Sequence, residues 1–328
     1  MKGLATVFGG SGFVGSQIVR ALAKRGHRIR VAVRRPGRAY RLPMLGDVGQ
    51  IEIVQANVRD DESVARALDG AEVCVNCVAV LYQSGRQTFE ALHVEGAERV
   101  ARTARAAGAG RLAHISAIGA DSGSGAAYAR TKAAGEEAAR AAFPGATIVR
   151  PSVVFGPGDA FFNRFAEMAT MAPALPLIGG GHTRFQPVFV GDVAAAIAAC
   201  LGEPSAPGVT YELGGPAVYT FEALMGLMLE TIGRRRALIP VPFGVAKVLG
   251  RVGDLMAWAI APPLTSDQVE MLRVDNIVSL GAPGLAELGV TPSAIEPIIP
   301  TYLYRYRKGG QYAEALAEAA IPAPPRQA

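Results

Sequence analysis

Residues 2–35 read KGLATVFGGSGFVGSQIVRALAKRGHRIRVAVRR. Residues 4–8 are an apolar run of strand length that stops at paired glycines. Gly9, Gly12 and Gly15 follow at G-x-x-G-x-x-G spacing. From Phe13 the period changes: Val14, Ile18 and Leu22 stand at i, i+4 and i+8, on one face of a helix that Gly26 ends. Residues 29–33 form a second apolar run. Strand, glycine turn, helix and strand within about 30 residues are the context a dinucleotide-binding turn requires. Residues without a Cβ let the backbone approach a pyrophosphate, and unpaired amides at a helix start point toward it.

The same stretch bears on which nucleotide. An NAD site places Asp or Glu at the end of the second strand, bonding the ribose 2′-hydroxyl. Arg34 and Arg35 stand there instead. A 2′-phosphate wants a guanidinium fork and is repelled by a carboxylate, so the expected cofactor is NADP(H).

The 328 residues allow one large domain or a large and a small lobe. Half of them are hydrophobic and 19% charged, which excludes a disordered chain. Ten of the 33 basic side chains and none of the 28 acidic ones precede Asp47. Residues 1–46 therefore carry +10 and the rest −5, so the basic balance is local and no nucleic-acid partner is expected. The chain enters a strand at once, so no signal peptide is expected, and with no run of 18 uncharged apolar residues no spanning helix is expected either. Cys74 and Cys77 fall inside an expected strand, on opposite faces, and with Cys200 read as buried thiols; no metal site is expected.

Further strands are expected over residues 50–55, 72–78, 111–116 and 146–150, and helices over 60–68, 88–107 and 127–142. Strict alternation of near-continuous apolar strands with helices predicts a doubly wound parallel Rossmann sheet, class α/β, with its ligand at the carboxyl ends of the strands. Past Pro151 the alternation loosens. A short strand over 187–193 should enter a helix over 194–201, and a strand and helix follow over 211–215 and 221–232. The expected division is a nucleotide-binding domain over 1–155, a smaller lobe over 156–310 interleaved with the last sheet strands, and a mobile tail over 311–328.

Tyr128 and Lys132 stand at i and i+4 on the helix after the fifth strand, where side chains share a face. A lysine beside a phenol lowers the phenol pKa and can hold a ribose, so the pair reads as catalytic or as the vestige of a catalytic pair. The four histidines have no nucleophile or metal partner at readable spacing and are assigned no chemistry.

The glycine spacing, the Y-x-x-x-K pair and the run RPSVVFGPGD resemble the extended or atypical short-chain dehydrogenase/reductase superfamily. More narrowly, SAIGADSGSGAAYARTKAAGEEAAR, PLIGGGHTRFQPVFVGDVAAAI and VEMLRVDNIVS resemble one branch, the NADPH-binding accessory subunits of respiratory complex I in their alphaproteobacterial form. The resemblance implies that Gly9, Ser11, Gly12, Phe13, Val14 and Gly15 hold the pyrophosphate and Arg34 and Arg35 the 2′-phosphate. It implies that Asn57 and Val58 edge the adenine and that Val78 and Ala79 line the ribose. Ser116, Tyr128 and Lys132 then meet the nicotinamide riboside, and Pro151, Val153 and Val154 pack beside it. One departure matters. Catalytic members carry a hydroxyl just after the fifth strand; here Ser116 is followed by Ala117 and Ile118 in the two places where that donor belongs. Its loss removes an electrophilic term and argues for a bound nucleotide with little or no turnover.

A helix running from Phe243 to Ala261 forms the other constellation. Lys247, Arg251 and Asp254 make one polar stripe, and Val245, Val248, Leu249, Val252, Leu255, Met256, Trp258 and Ile260 cover the rest. Such a face is either core of the small lobe or a contact with a partner subunit or bilayer interface. The run from Tyr302 to Lys308 alternates rings and cations and is a second candidate contact. The leading expectation is an NADP(H)-holding accessory subunit of respiratory NADH:quinone oxidoreductase, bound to its other subunits on the cytoplasmic side of the plasma membrane. The alternatives are a free NADP-dependent oxidoreductase or epimerase using Tyr128 and Lys132, and a nucleotide-sensing regulator.

Overall fold

The computed structural model describes residues 2–202, 207–257, 262 and 264–312. Trp258, Ile260, Ala261 and the tail past residue 312 lie outside the described residues. The first half runs β1 (Lys2–Phe8), α1 (Phe13–Lys24), β2 (His27–Val33), β3 (Ile51–Gln55), α2 (Asp61–Leu68), β4 (Val73–Asn76), α3 (Glu95–Ala106), β5 (Arg111–Ile115), α4 (Ala127–Ala142) and β6 (Thr147–Pro151). The second half has short strands β7 (Val154–Phe155), β8 (Ala174–Ile178), β9 (Arg184–Phe185), β10 (Val188–Phe189), β11 (Thr210–Leu213), β12 (Tyr219–Thr220) and β13 (Ala237–Val241). Among these lie α5 (Phe162–Met171), α6 (Val190–Cys200), α7 (Phe221–Thr231), α8 (Phe243–Met256), α9 (Ser266–Met271) and α10 (Pro300–Leu303).

Seven strands form one parallel sheet in the order β3-β2-β1-β4-β5-β6-β11. The order reverses between β1 and β4, so a crevice opens at the carboxyl end of β1, directly above the glycine turn. Strand period 2 divides the apolar residues between two faces. Val7 packs with Ile18 and Leu22 of α1 and Ile197 of α6 on one side; Phe8 packs with Leu68 of α2 and Val100 of α3 on the other. A third cluster, rich in phenylalanine, joins α5, α7 and α10 around Phe155, Phe162, Phe185 and Phe221. No helix among the described residues is long and apolar enough to cross a membrane.

Some boundaries differ from expectation. The helix expected over 88–107 begins with a π-helical turn, Glu90–Val94, before α3. Gly135 of α4 lies against that turn, where a Cβ would meet the His93 carbonyl oxygen at 2.0 Å. α6 starts at Val190 rather than 194, because only Val188 and Phe189 find a strand partner, in β7. β4 ends at Asn76, which leaves Cys77 outside the strand; its thiol donates to the Phe8 carbonyl at 2.8 Å. All three cysteines are free, and burial pushes each thiol pKa up.

Candidate functional site

The turn after β1 is built for close approach. Gly9 has φ 77°, a conformation only glycine takes cheaply, and its carbonyl accepts from Gly12 N–H at 3.0 Å. Gly15 lies so near this loop that a Cβ would come within 2.3 Å of the Gly9 oxygen. Gly12 caps α1 without a side-chain hydrogen bond, and the first turn carries no acid. The amides of Phe13, Val14 and Gly15 thus begin a helix whose positive end is unneutralised, beside exposed Ser11.

Arg34 and Arg35 leave the end of β2, both exposed, and neither pairs with a carboxylate among the described residues. Partial desolvation lowers the Arg34 pKa, and the guanidiniums of Arg59, Arg35 and Arg38 lower it further. Asn57 and buried Val58 sit in the loop after β3, where Asn57 N–H donates to Ser63 Oγ at 2.7 Å. Val78 and Ala79 follow β4; Val78 N–H donates to Asn76 Oδ1 at 3.2 Å. Gly9, Arg34, Asn57 and Val78 therefore stand at the ends of four neighbouring strands, along one edge of the sheet.

At the far end of that edge α4 brings Tyr128 and Lys132 inward, 8% and 1% exposed. Lys132 Nζ donates to the Ile115 carbonyl at 2.7 Å. Burial lowers its pKa to about 8, against the pull of Glu136 and Cys77. The expectation that the lysine lowers the phenol pKa is corrected: burial and then the Asp267 carboxylate raise Tyr128 to about 12. The shared helix face does bring both inward, but the amine is drawn to the sheet carbonyl and the phenol packs edge-on against Phe89 and His93. Asp267 reaches across from α9 to accept from Ala127 N–H at 2.5 Å and Tyr128 N–H at 3.0 Å. The start of α4 is thereby capped by the second half of the chain.

Ser116 is buried and its Oγ has no hydrogen-bond partner; the same holds for His114 Nε2. Asn76 Nδ2 meets His114 Nδ1 at 3.2 Å, and since an amide NH₂ can only donate, the ring proton sits on Nε2. Pro151 ends β6, and Val153 and Val154 follow, half-buried. Val153 N–H donates to Asn276 Oδ1 at 3.1 Å, and Asn276 Nδ2 donates to the Ile118 carbonyl at 3.1 Å. Asn276 thus clasps the β6 loop to the Ala117–Ile118 segment that follows β5.

Sequence reading missed His93, Asp267 and Asn276. His93 Nε2 accepts from Val80 N–H at 3.2 Å, and its Nδ1 lies 3.1 Å from Thr131 Oγ1, so it braces the Val78–Ala79 loop against α4. Burial, reinforced by Lys132, holds its pKa down to about 3, and it stays neutral. The side chains of Asp267 and Asn276 bond to residues more than 120 positions away in the chain, beyond any local spacing pattern.

The α8 helix turns its apolar residues outward. Val248, Leu249, Val252 and Leu255 are 60, 55, 51 and 76% exposed. It packs through Ala246, Gly250 and Gly253 instead; a Cβ on Gly253 would lie 1.9 Å from the Leu264 oxygen. Polar Asp254 and Lys247 engage Ser266 and Glu270 of α9. The Tyr302 to Lys308 run is partly internal: buried Tyr302 donates to Asp159 Oδ2 at 2.6 Å and Tyr306 to Asn163 Oδ1 at 3.1 Å.

The uncapped start of α1, the tight glycine turn that only Gly15 lets close on it, and the orphaned Ser116 hydroxyl together fit a dinucleotide laid along the carboxyl edge. A family profile described as the NAD dependent epimerase/dehydratase family matches residues 5–214. The chain is 37% identical to the mitochondrial NADH dehydrogenase (ubiquinone) 1 alpha subcomplex subunit 9 of Arabidopsis thaliana, covering 94% of this chain and 79% of that one. It is 33% identical to a ceramide reductase of Caulobacter vibrioides, covering 79% of each. Its fold is that of an NADPH-dependent quinone oxidoreductase of Escherichia coli, solved with NADPH: TM-score 0.70 at 21% identity, over 89% of this chain and 97% of that one.

Proposed function

The chain belongs to the NAD dependent epimerase/dehydratase family, and from that premise we propose that it is an NADP(H)-holding accessory subunit of a respiratory NADH:quinone oxidoreductase with little or no turnover of its own. The glycine turn and the start of α1 would hold the pyrophosphate, and Arg34 and Arg35 the 2′-phosphate. Asn57, Val58, Val78 and Ala79 would line the adenosine half. Ser116, Tyr128, Lys132 and the residues after β6 would hold the nicotinamide riboside. The cofactor itself supplies hydride chemistry when a substrate is presented. The non-catalytic reading is supported by the lack of a positioned hydroxyl donor beside the proposed nucleotide cradle. Tyr128 is buried with its pKa raised, an acid from α9 caps its helix, and Ala117 and Ile118 offer no hydroxyl. Identity of 37% to a subunit of NADH dehydrogenase over nearly the whole chain supports the assembly. The uncovered face of α8 would meet a partner subunit or the membrane surface on the cytoplasmic side.

The test is purification from native membranes in mild detergent, with mass spectrometry of co-eluting proteins and released nucleotide. Co-elution with the respiratory enzyme, carrying NADP(H) that survives washing, is the expected result. A soluble monomer or dimer with freely exchanging nucleotide overturns it. That outcome would favour a second reading, a free NADP-dependent reductase, which the ceramide reductase similarity and the i, i+4 placing of Tyr128 and Lys132 on α4 support. Tyr128→Phe would then abolish turnover.

A further inference from the structure

We infer that Arg59 is a specificity-determining residue of the nucleotide site, the third guanidinium of the 2′-phosphate pocket beside Arg34 and Arg35. The inference rests on the NADP(H) reading above and adds a residue from a different loop.

The geometry begins in the sheet. β2 and β3 run parallel with Val33 opposite Gln55, and Ala56 N–H donates to the Val33 carbonyl at 2.9 Å. Arg34 and the loop from Asn57 to Arg59 therefore leave the same edge side by side. Arg59 is half-buried and its side chain is held from two directions. Its Nη1 donates to the Arg86 carbonyl at 2.8 Å, and its Nε lies 3.5 Å from Asn57 Oδ1. A guanidinium fixed in this way loses little further entropy on gripping an anion.

The acids that follow it in sequence do not neutralise it. Asp60 Oδ1 accepts from Ser63 N–H at 2.7 Å, as the cap of α2. Asp61 pairs with Arg99 at 2.9 Å and Arg102 at 2.5 Å. Among the described residues no carboxylate forms an ion pair with Arg34, Arg35, Arg38 or Arg59. Like charges held together without a counter-ion cost free energy, and a doubly charged phosphate removes that cost where a ribose hydroxyl does not. The ordering of influences on Arg34 agrees: of its three neighbouring guanidiniums, Arg59 acts on it most strongly. The competing role for Arg59 is mechanical, pinning the turn at Ser84 and Gln87 through the Arg86 carbonyl. A pin would support both nucleotides equally, whereas a phosphate ligand favours one.

The experiment is equilibrium binding of NADPH and of NADH to the full chain, stripped of nucleotide, for the wild type, Arg59→Gln, Arg59→Lys and Arg34→Gln. Loss of one charge-assisted hydrogen bond predicts that Arg59→Gln weakens NADPH about tenfold and leaves NADH within about twofold. Arg59→Lys keeps the charge but not the fork, and should recover part of the preference; it is the variant to read should Arg59→Gln not fold. Equal weakening of both nucleotides, or no change in either, overturns the inference. A wild type that binds NADPH and NADH alike overturns the NADP(H) reading and the inference together. A wild-type preference that Arg34→Gln removes and Arg59→Gln spares overturns the inference alone.

Discussion

Lys132 shows how a single buried cation is set by its surroundings. It is 1% exposed, and its amine is spent on the Ile115 carbonyl rather than on the Tyr128 phenol. Burial depresses its native pKa to about 8, below the ordinary lysine value of 10.5. Between those values the unfolded chain binds the proton that the native chain has released, so the contribution of this lysine to native stability should rise with pH from about 8 to 10.5. Below pH 8 the charge is present in both states and the native state bears the desolvation penalty in full. The three thiols pull the stability of both proteins down above about pH 9, so the reading is the difference: the urea midpoint of the nucleotide-free wild type should gain on that of Lys132→Met as pH rises through the window. Parallel slopes in the two proteins would show that the lysine keeps its ordinary pKa.

The helices α4 and α8 are each governed by a contact that their own sequences do not contain. α4 has Ala126 at its N-cap, which offers no side-chain acceptor, and the missing acceptor arrives as Asp267 from α9. Asp267→Ala should destabilise the chain by about 1–2 kcal/mol, with the urea m value unchanged. Asp267→Asn should recover part of that loss, since one amide oxygen still accepts. An unshifted midpoint in the alanine variant would mean that the start of α4 is satisfied elsewhere. α8 poses the opposite case, because its apolar residues face away from the chain that makes it. Val248 is 60% exposed, so Val248→Asp should change folding stability by no more than about 0.5 kcal/mol. If the proposed assembly holds, the same variant should no longer co-purify with the respiratory enzyme. Loss of folding stability without loss of association would make α8 part of the lobe's own core.

Across the whole molecule, the proposed nucleotide binding is linked to folding. Half of the proposed cradle lies on the β1–β4 side of the sheet, and the other half is finished by Asn276 and Asp267 from the second half of the chain. A ligand that grips both halves binds only the folded state. NADPH at a hundred times its dissociation constant should therefore add about 2.7 kcal/mol of stability, read as a raised thermal midpoint. Gly15→Ala should remove that increment, because its methyl would sit 2.3 Å from the Gly9 oxygen and push the turn open. A Gly15→Ala protein that is still stabilised by NADPH would place the nucleotide somewhere other than the glycine turn.

Residues 2–35 by themselves determined the first strand–turn–helix–strand unit, the glycine turn and the arginine pair, and the alternation that continues to residue 150 determined the doubly wound sheet, because each rests on spacing within short local units. Period 2 and period 3.6 are local, and so is the need for glycine where backbone meets backbone. The pairing of Tyr128 with Lys132 was legible for the same reason, since i and i+4 always share a helix face. What that pair can do was not legible. The state of the phenol depends on how deeply α4 sinks and on an acid from α9, about 140 positions away. The neutral His93, the Asn276 clasp and the outward-facing apolar residues of α8 are likewise products of packing between distant segments. Local periodicity records which face of an element is apolar, but only the folded chain decides what covers that face and what charge stands beside each buried group.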